Sequence, residues 1–207
     1  GESGVWCNLT DTYTEPDFVD DLDEMKTNVA VRQEYSMDHA WALGRQTDQQ
    51  IITALEASTN ATTATGVLTL AKVNEVYVAF GNNAVPWDGM RYMAVSAKGW
   101  TDLMAISQFS DADFVPPNEM PFRSAAGTAK NWMGFKIFTQ EGGVDADGNA
   151  DDGALSLSTN TRTCLAWHKR AIGFHRQEGP KTTTGWENLR QGWSIVSRQC
   201  CGAVMID

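Results

Sequence analysis

The 207-residue sequence has no apolar run long enough to cross a bilayer, which takes about 18 residues or more. Its longest apolar stretch, 64–80, is interrupted by Lys72, Asn74 and Glu75. Positive charge is also scarce, because 16 lysines and arginines face 26 aspartates and glutamates and the net charge is −10. A protein that binds nucleic-acid phosphates over much of its surface needs the opposite balance. The sequence therefore predicts neither a membrane-spanning protein nor a general DNA or RNA binder.

The short motifs of several enzyme classes are missing as well. No Walker loop, GxGxxG, GxSxG or HExxH pattern occurs, and the four cysteines form no CxxC pair. His168 follows Cys164 by four residues, which on a helix would place a thiol and an imidazole on one face. Two such groups do not make a zinc site. We predict no catalytic residue and no cofactor, and we keep a small α+β enzyme that uses Cys164 and His168 as an alternative.

An acidic segment at 145–153 resembles the start of a calcium loop. Asp145, Asp147, Asn149 and Asp151 alternate along it, so their oxygens could converge on one hard cation. The positions of the glycine and the glutamate in the EF-hand pattern hold other residues, however. We therefore predict a flexible acidic loop and no metal site, with weak Ca²⁺ or Mg²⁺ binding by these four residues as the alternative.

Hydrophobic periodicity predicts helices in the first part of the chain and more strands later. We predict a long helix from Asp17 that breaks at Gly44, and a second helix to Ser58 that begins at a Thr47–Gln50 capping box. A helix over 70–80, a strand over 91–96 and a helix capped by Ser96 follow. Later in the chain we predict a strand over 131–138 and a strand-rich end over 192–206. Helices followed by a mixture of helices and strands indicate an α+β fold.

Eight short segments, taken in order, resemble the major capsid proteins of tailed bacteriophages. They are DDLDEMK (20–26), ALGR (42–45), DQQIITAL (48–55), RYMAVSAKGWTDL (91–103), FSDAD (109–113), WMGFKI (132–137), CLAWHKRAIG (164–173) and CGAVMID (201–207). Eight tryptophans also suit a protein with extensive subunit contacts. The resemblance covers about residues 17–140 and 161–207. It indicates a protein family, which hydrophobic periodicity alone does not.

The resemblance implies the Johnson fold of phage major capsid proteins. In that fold a long spine helix and a sheet form a peripheral domain, an axial domain lies near the centre of the capsomer, and an N-terminal arm and an extended loop reach neighbouring subunits. Only sixteen residues precede residue 17, so we expect the arm and most of the extended loop to be absent. We expect a remnant of this region at 1–16, the spine helix and following helices at 17–80, and the axial domain, its sheet and the closing strands at 81–207, with discontinuous domains.

The function implied is that of a structural protein of the virion, assembled in the host cytoplasm. Copies of the chain would form hexamers and pentamers of an icosahedral shell that encloses double-stranded DNA without binding it specifically, with scaffolding, portal or decoration proteins as further partners. Other virion proteins and a cargo-holding, encapsulin-like shell are the alternatives. The residues predicted to meet neighbouring subunits are Arg32, Arg45, Trp87, Asp145 and Asp152.

Overall fold

The computed structural model describes residues 5–7, 12–26, 30–62, 66–110, 129–140, 142–144, 149–150, 152–158 and 161–206. Its contacts divide the chain into two units, each of which mixes helices and strands. Unit 1 comprises Gly1–Ile51 and Gly173–Val204, and unit 2 comprises Ile52–Ile172 and Met205–Asp207. Within the described residues, no helix is long and apolar enough to cross a membrane. The functional division predicted above, at 1–16, 17–80 and 81–207, stays a prediction.

The helices and strands follow one another in a mixed order. The helices are α1 (Asp21–Lys26), α2 (Val31–Glu56), α3 (Leu70–Asn82), α4 (Ala97–Met104) and α5 (Ser107–Ser110), and a 3₁₀ turn covers Lys169–Ala171. The strands are β1 (Thr12–Asp20), β2 (Arg91–Val95), β3 (Lys130–Trp132), β4 (Phe135–Thr139), β5 (Leu157–Ser158), β6 (Thr161–Arg162), β7 (Leu165–His168), β8 (Ile172–Glu187) and β9 (Gly192–Met205).

Unit 1 contains a three-stranded sheet in the order β1-β9-β8. The long β9 pairs antiparallel with β1, from Thr12 opposite Cys200 to Asp20 opposite Gly192. The prediction that a helix begins at Asp17 is therefore wrong, because that residue belongs to β1. Pairing with a strand more than 170 residues later in the chain decides the conformation here, and no local window of sequence contains that partner.

The long helix α2 runs without a break from Val31 to Glu56. The prediction of a break at Gly44 is wrong, since this glycine lies inside the helix, where an added Cβ would meet no atom. The predicted capping box is also wrong, because the Thr47 hydroxyl donates to the carbonyl of Leu43 one turn earlier. A glycine inside a helix costs about 1 kcal/mol, which packing of the helix on the sheet can offset.

Unit 2 contains a four-stranded sheet in the order β3-β4-β2-β7. β2 lies parallel to β4 and antiparallel to β7, so it is a central strand. The core of this unit consists of Val73, Met93, Val95, Leu103, Phe109, Phe135 and Ile137. The predicted strand beginning at Arg91 is confirmed, and so is the cap of the following helix, because the Ser96 hydroxyl accepts from the Gly99 N–H at 3.1 Å.

The strand predicted over 131–138 is instead a tight hairpin. β3 and β4 pair antiparallel, with Trp132 opposite Phe135, and the two residues between them have positive φ, 49° at Met133 and 77° at Gly134. Left-handed backbone suits glycine and lets the chain reverse within two residues. Phe135 and Ile137 still share the buried face of β4, as the alternation predicted.

Candidate subunit-contact surfaces and the clusters that position them

A buried polar cluster holds α2 on the sheet of unit 1. His39, which is 2% exposed, places its Nδ1 3.2 Å from the Ser197 hydroxyl and its Nε2 3.2 Å from an Asp17 carboxylate oxygen. The Ser197 hydroxyl also lies 2.7 Å from that of Thr182. The cluster thus joins the helix to all three strands of the sheet, because Asp17 lies in β1, Thr182 in β8 and Ser197 in β9.

The types of residue in this cluster are those of a Ser-His-Asp hydrolase. Ser197 is 0% exposed, however, so no substrate atom can approach its oxygen. The three residues therefore act as a structural connection in this fold. No sequence motif predicts this cluster, since His39 lies 22 residues from Asp17 and 158 from Ser197.

A second polar connection lies one turn further along α2. The side-chain amide of Gln199, which is fully buried, donates to the Leu43 carbonyl at 2.6 Å and to the Thr47 hydroxyl at 3.2 Å. Leu43 itself is buried. One side of α2 is therefore buried at Leu43 and bound to β9 by side-chain hydrogen bonds.

The opposite side of α2 is exposed and partly apolar. Met37 and Trp41 lie two residues before and after His39, which is about 200° of rotation on a helix, and they are 50% and 64% exposed. Glu34, Asp38 and Gly44 lie beside them and are exposed as well. We call this surface the α2 outer face, and its residues are Glu34, Met37, Asp38, Trp41 and Gly44.

In unit 2 a buried arginine organises the loop that precedes β2. Arg91 is 0% exposed, and its guanidinium donates to the carbonyls of Val85 and Pro86, the second at 3.1 Å. The ring of Trp87 lies 3.3 Å from the guanidinium carbon, and Tyr77 of α3 lies on Trp87 with ring centroids 4.7 Å apart. Trp87 is thereby held in place while half of its surface stays exposed.

The pair of Cys164 and His168 on which the enzyme alternative depends does not form. The two residues lie before and at the end of the extended strand β7, so about 13 Å of chain separates them instead of one helical turn. His168 binds the Asp88 carboxylate, at 3.1 and 3.3 Å, and the pKa of Asp88 is lowered by the backbone N–H of Met90 and by His168. Burial raises the pKa of the Cys164 thiol, which is the opposite of an activated nucleophile.

We expect the Cys164 thiol to react slowly in the folded protein. Because its pKa is raised, the reactive thiolate is a smaller fraction at neutral pH than for an exposed cysteine. Iodoacetamide labelling followed by peptide mass spectrometry should show Cys164 modified more slowly in the native chain than after denaturation in guanidinium. Rapid and selective native labelling of Cys164 would contradict this and would favour the enzyme alternative.

The predicted contact residues are distributed over both units. The Arg32 guanidinium lies 4.6 Å above the Trp193 ring within unit 1, so it has a role inside its own subunit. Arg45 and Asp152 are exposed, and Trp87 is the residue held by Arg91. Asp145 lies outside the described residues. Their part in subunit contacts stays a prediction.

The weak metal prediction falls mostly on residues that the structure does not describe. Asp145, Asp147 and Asp151 lie outside the described residues, and Asn149 is exposed. Among the side chains that are described, no group of three or more histidines, cysteines, aspartates and glutamates is placed to hold a metal ion. Cation binding by the acidic segment therefore stays an alternative.

Comparison with known proteins connects this architecture to viral shells. The fold is similar to that of a chain from Mycobacterium phage Che8, with 17% identity, 99% of this chain and 70% of that chain covered, and a TM-score of 0.74. It is also similar to the capsid of cyanophage P-SCSP1u, with 19% identity, 97% of this chain and 70% of that chain covered, and a TM-score of 0.64. A third similar structure is the capsid of an empty GTA particle, with 9% identity, 99% of this chain and 78% of that chain covered, and a TM-score of 0.62.

No curated protein sequence matches significantly. A family model described as "Phage capsid protein" matches residues 1–207. These findings confirm the resemblance in sequence: the chain belongs to the phage capsid protein family and is a structural major capsid protein.

Proposed function

We propose that copies of this chain assemble into hexamers and pentamers, and that these form an icosahedral head shell around double-stranded DNA. The observation that supports this most is the match of a phage capsid family model over the whole chain, together with a fold that follows capsid chains over 97–99% of its length. The proposal places assembly in the host cytoplasm and includes contacts with scaffolding, portal or decoration proteins. No step in it requires a cofactor.

The distribution of apolar side chains supports self-association. Met37 and Trp41, which lie one turn apart on the α2 outer face, are 50% and 64% exposed. Large exposed apolar side chains that cluster on a surface mark sites of protein contact in soluble proteins. A shell protein needs several such contacts, each moderately strong, so that misplaced subunits can dissociate before the shell closes.

The net charge suits a container for DNA. A net charge of −10 disfavours tight binding of the chain to DNA phosphates, so the genome would adhere weakly to a shell of such chains. DNA could then move during packaging and ejection. In this proposal the DNA is therefore enclosed and not specifically bound.

The test is the size and symmetry of the particles that the chain forms in solution. Over a concentration series, sedimentation velocity should show oligomers of up to five or six copies, and negative-stain class averages should show fivefold and sixfold rings. A closed dimer with twofold symmetry, or a compact monomer at the highest concentration, would contradict the proposal. Where particles close, nuclease-resistant DNA inside them supports a head shell, whereas a protein cargo favours the encapsulin-like alternative.

A further inference from the structure

We propose that the α2 outer face of one copy docks on one end of the unit 2 sheet of a second copy. This inference rests on the proposed self-assembly and names two surfaces that meet in it. The second surface, which we call the β2–β7 end, lies where β2 begins and β7 ends. Its residues are Trp87, Met90, Lys169 and Arg170.

The pairing of two strands brings the residues of the β2–β7 end together. β2 and β7 run antiparallel, so the residue before β2 lies beside the residue after β7. These residues are Met90 and Lys169, and the N–H of Lys169 donates to the Met90 carbonyl at 3.0 Å. His168, the last residue of β7, places its Nε2 3.1 Å from an Asp88 carboxylate oxygen. The loop that carries Trp87 is therefore fixed at the same end of the sheet.

Exposed apolar side chains and exposed cations occur together at the β2–β7 end. Trp87 is 53% exposed and Met90 is 37% exposed. The contacts of Trp87 described above hold its ring in place, so docking on it costs little side-chain entropy. Lys169 and Arg170 are both exposed. This end of the sheet therefore offers an ordered aromatic ring with two cations beside it.

The charges around the β2–β7 end leave it positive among the described residues. Asp88 places one carboxylate there, and the buried guanidinium of Arg91 interacts with it electrostatically. The charges of Lys169 and Arg170 then remain. Asp207 follows a residue that is bonded to the neighbouring 3₁₀ turn, and it lies outside the described residues.

The two surfaces are complementary in both charge and polarity. The α2 outer face carries two carboxylates beside an exposed methionine and an exposed tryptophan. The β2–β7 end carries two cations, also beside an exposed methionine and an exposed tryptophan. Arg45 and Asp48 on the next turn of α2 carry opposite charges and leave this balance unchanged. Tryptophan, methionine and arginine are enriched in protein interfaces, so each surface has a composition suited to docking.

The short helix α1 is a second acidic surface with an exposed apolar side chain. Leu22 is 61% exposed and lies between Asp21 and Asp23. Lys26 lies 3.9 Å from Asp23 and offsets part of the negative charge. This surface offers one large apolar side chain where the α2 outer face offers two, so we assign the docking to α2 and use Leu22 as a comparison.

The contact is heterologous, because the two surfaces differ in charge. Two α2 outer faces would bring four carboxylates together, and two β2–β7 ends would bring four cations together. Like charges thus disfavour a twofold contact of either surface with itself. Each copy offers one surface of each kind, so the contact can repeat from copy to copy instead of ending at a dimer.

Charge exchange tests the contact. The acid-reversed variant carries Glu34→Lys and Asp38→Lys, and the base-reversed variant carries Lys169→Glu and Arg170→Glu, all at exposed positions. In sedimentation velocity over a concentration series, each variant should need at least about tenfold more protein than the parent chain to reach the same degree of assembly, because like charges then face each other. A chain with all four reversals should recover assembly, since opposite charges face each other again.

The apolar residues of the two surfaces give a second, uncharged test. Trp41→Ala on one surface and Met90→Ala on the other should each weaken assembly, the first at least about tenfold. Two matched controls, Trp6→Ala and Leu22→Ala, replace exposed apolar side chains outside both surfaces and should leave assembly unchanged.

Unchanged circular dichroism and melting temperature establish that each variant folds. Where a reversed variant does not fold, a neutral pair replaces it, either Glu34→Gln with Asp38→Asn or Lys169→Gln with Arg170→Gln. A neutral pair removes the attraction without adding repulsion, so it should weaken assembly less than the reversal does.

The outcomes separate this inference from the proposed function. If the parent chain does not associate at any concentration, both fail. If the parent and the reversed variants form rings equally well, the contact is wrong while the proposed function stands. If each reversed variant loses assembly and the chain with all four reversals recovers it, the contact stands, and the absence of fivefold and sixfold rings from those assemblies would then refute the proposed function alone.

Two further results would overturn the contact. Loss of assembly in both reversed variants without recovery in the chain with all four reversals would show that the two surfaces do not face each other. A loss in Leu22→Ala as large as that in Trp41→Ala would assign the docking to α1.

Discussion

Replacing Arg91 by alanine is expected to lower the free energy of unfolding by about 3–5 kcal/mol. The substitution removes a fully buried guanidinium and leaves the carbonyls of Val85 and Pro86 without their donors. It also removes the cation against which the Trp87 ring packs. Burial lowers the pKa of Arg91, but an arginine stays charged at neutral pH, so no change of pH within the native range should imitate the substitution.

Guanidinium denaturation followed by circular dichroism measures this effect. Arg170→Ala is the matched control, because Arg170 is an exposed arginine of the same unit, and it should change the free energy of unfolding by about 0.5 kcal/mol or less. Arg91→Lys should fall between the two, since it keeps the charge and loses the planar fork that reaches two carbonyls. A loss below about 1 kcal/mol in Arg91→Ala would show that this arginine does not organise the loop.

Replacing His39, which lies in unit 1, by alanine is expected to lower the free energy of unfolding by about 2–4 kcal/mol. The imidazole is buried between Asp17 and Ser197, and its loss leaves a cavity and an incompletely paired serine on the sheet. The Thr182 hydroxyl still pairs with Ser197, which limits the cost. Chemical denaturation again gives the measurement.

A double-mutant cycle separates the hydrogen bond from the cavity. If His39 and Ser197 interact as described, the cost of His39→Ala together with Ser197→Ala should be smaller than the sum of the two single costs by about 0.5–3 kcal/mol. Arg45→Ala, at an exposed position of the same helix, is the control and should have little effect. Additive costs would mean that the two side chains are neighbours without an energetically significant bond.

Local signals in the sequence predicted the elements whose causes are local. The strand that begins at Arg91 is one example, because a short run of apolar residues predicts it. The helix cap at Ser96 is another, because its hydroxyl binds a backbone N–H only three residues away. The family was also predictable, because the order of several loose segments carries more information than any one of them. The comparisons confirm that prediction.

The features that sequence reasoning missed depend on partners far away in the chain. β1 is a strand because it pairs with β9, and α2 passes through Gly44 because the sheet supports it on one side. The His39 cluster joins residues up to 158 positions apart. No local window holds both members of such pairs, so propensity and spacing alone predict the wrong local structure for them.

The hydrogen bonds from Gln199 to the Leu43 carbonyl and to Thr47 also limit how far one folded copy can differ from another. A helix held on a sheet by interchangeable apolar side chains could slide by a turn of about 5.4 Å at little cost. A buried amide has few alternative acceptors, so such a shift would leave it unpaired. Each copy therefore presents its exposed helix surface in the same position on its sheet, which is what the proposed assembly of many identical copies would require.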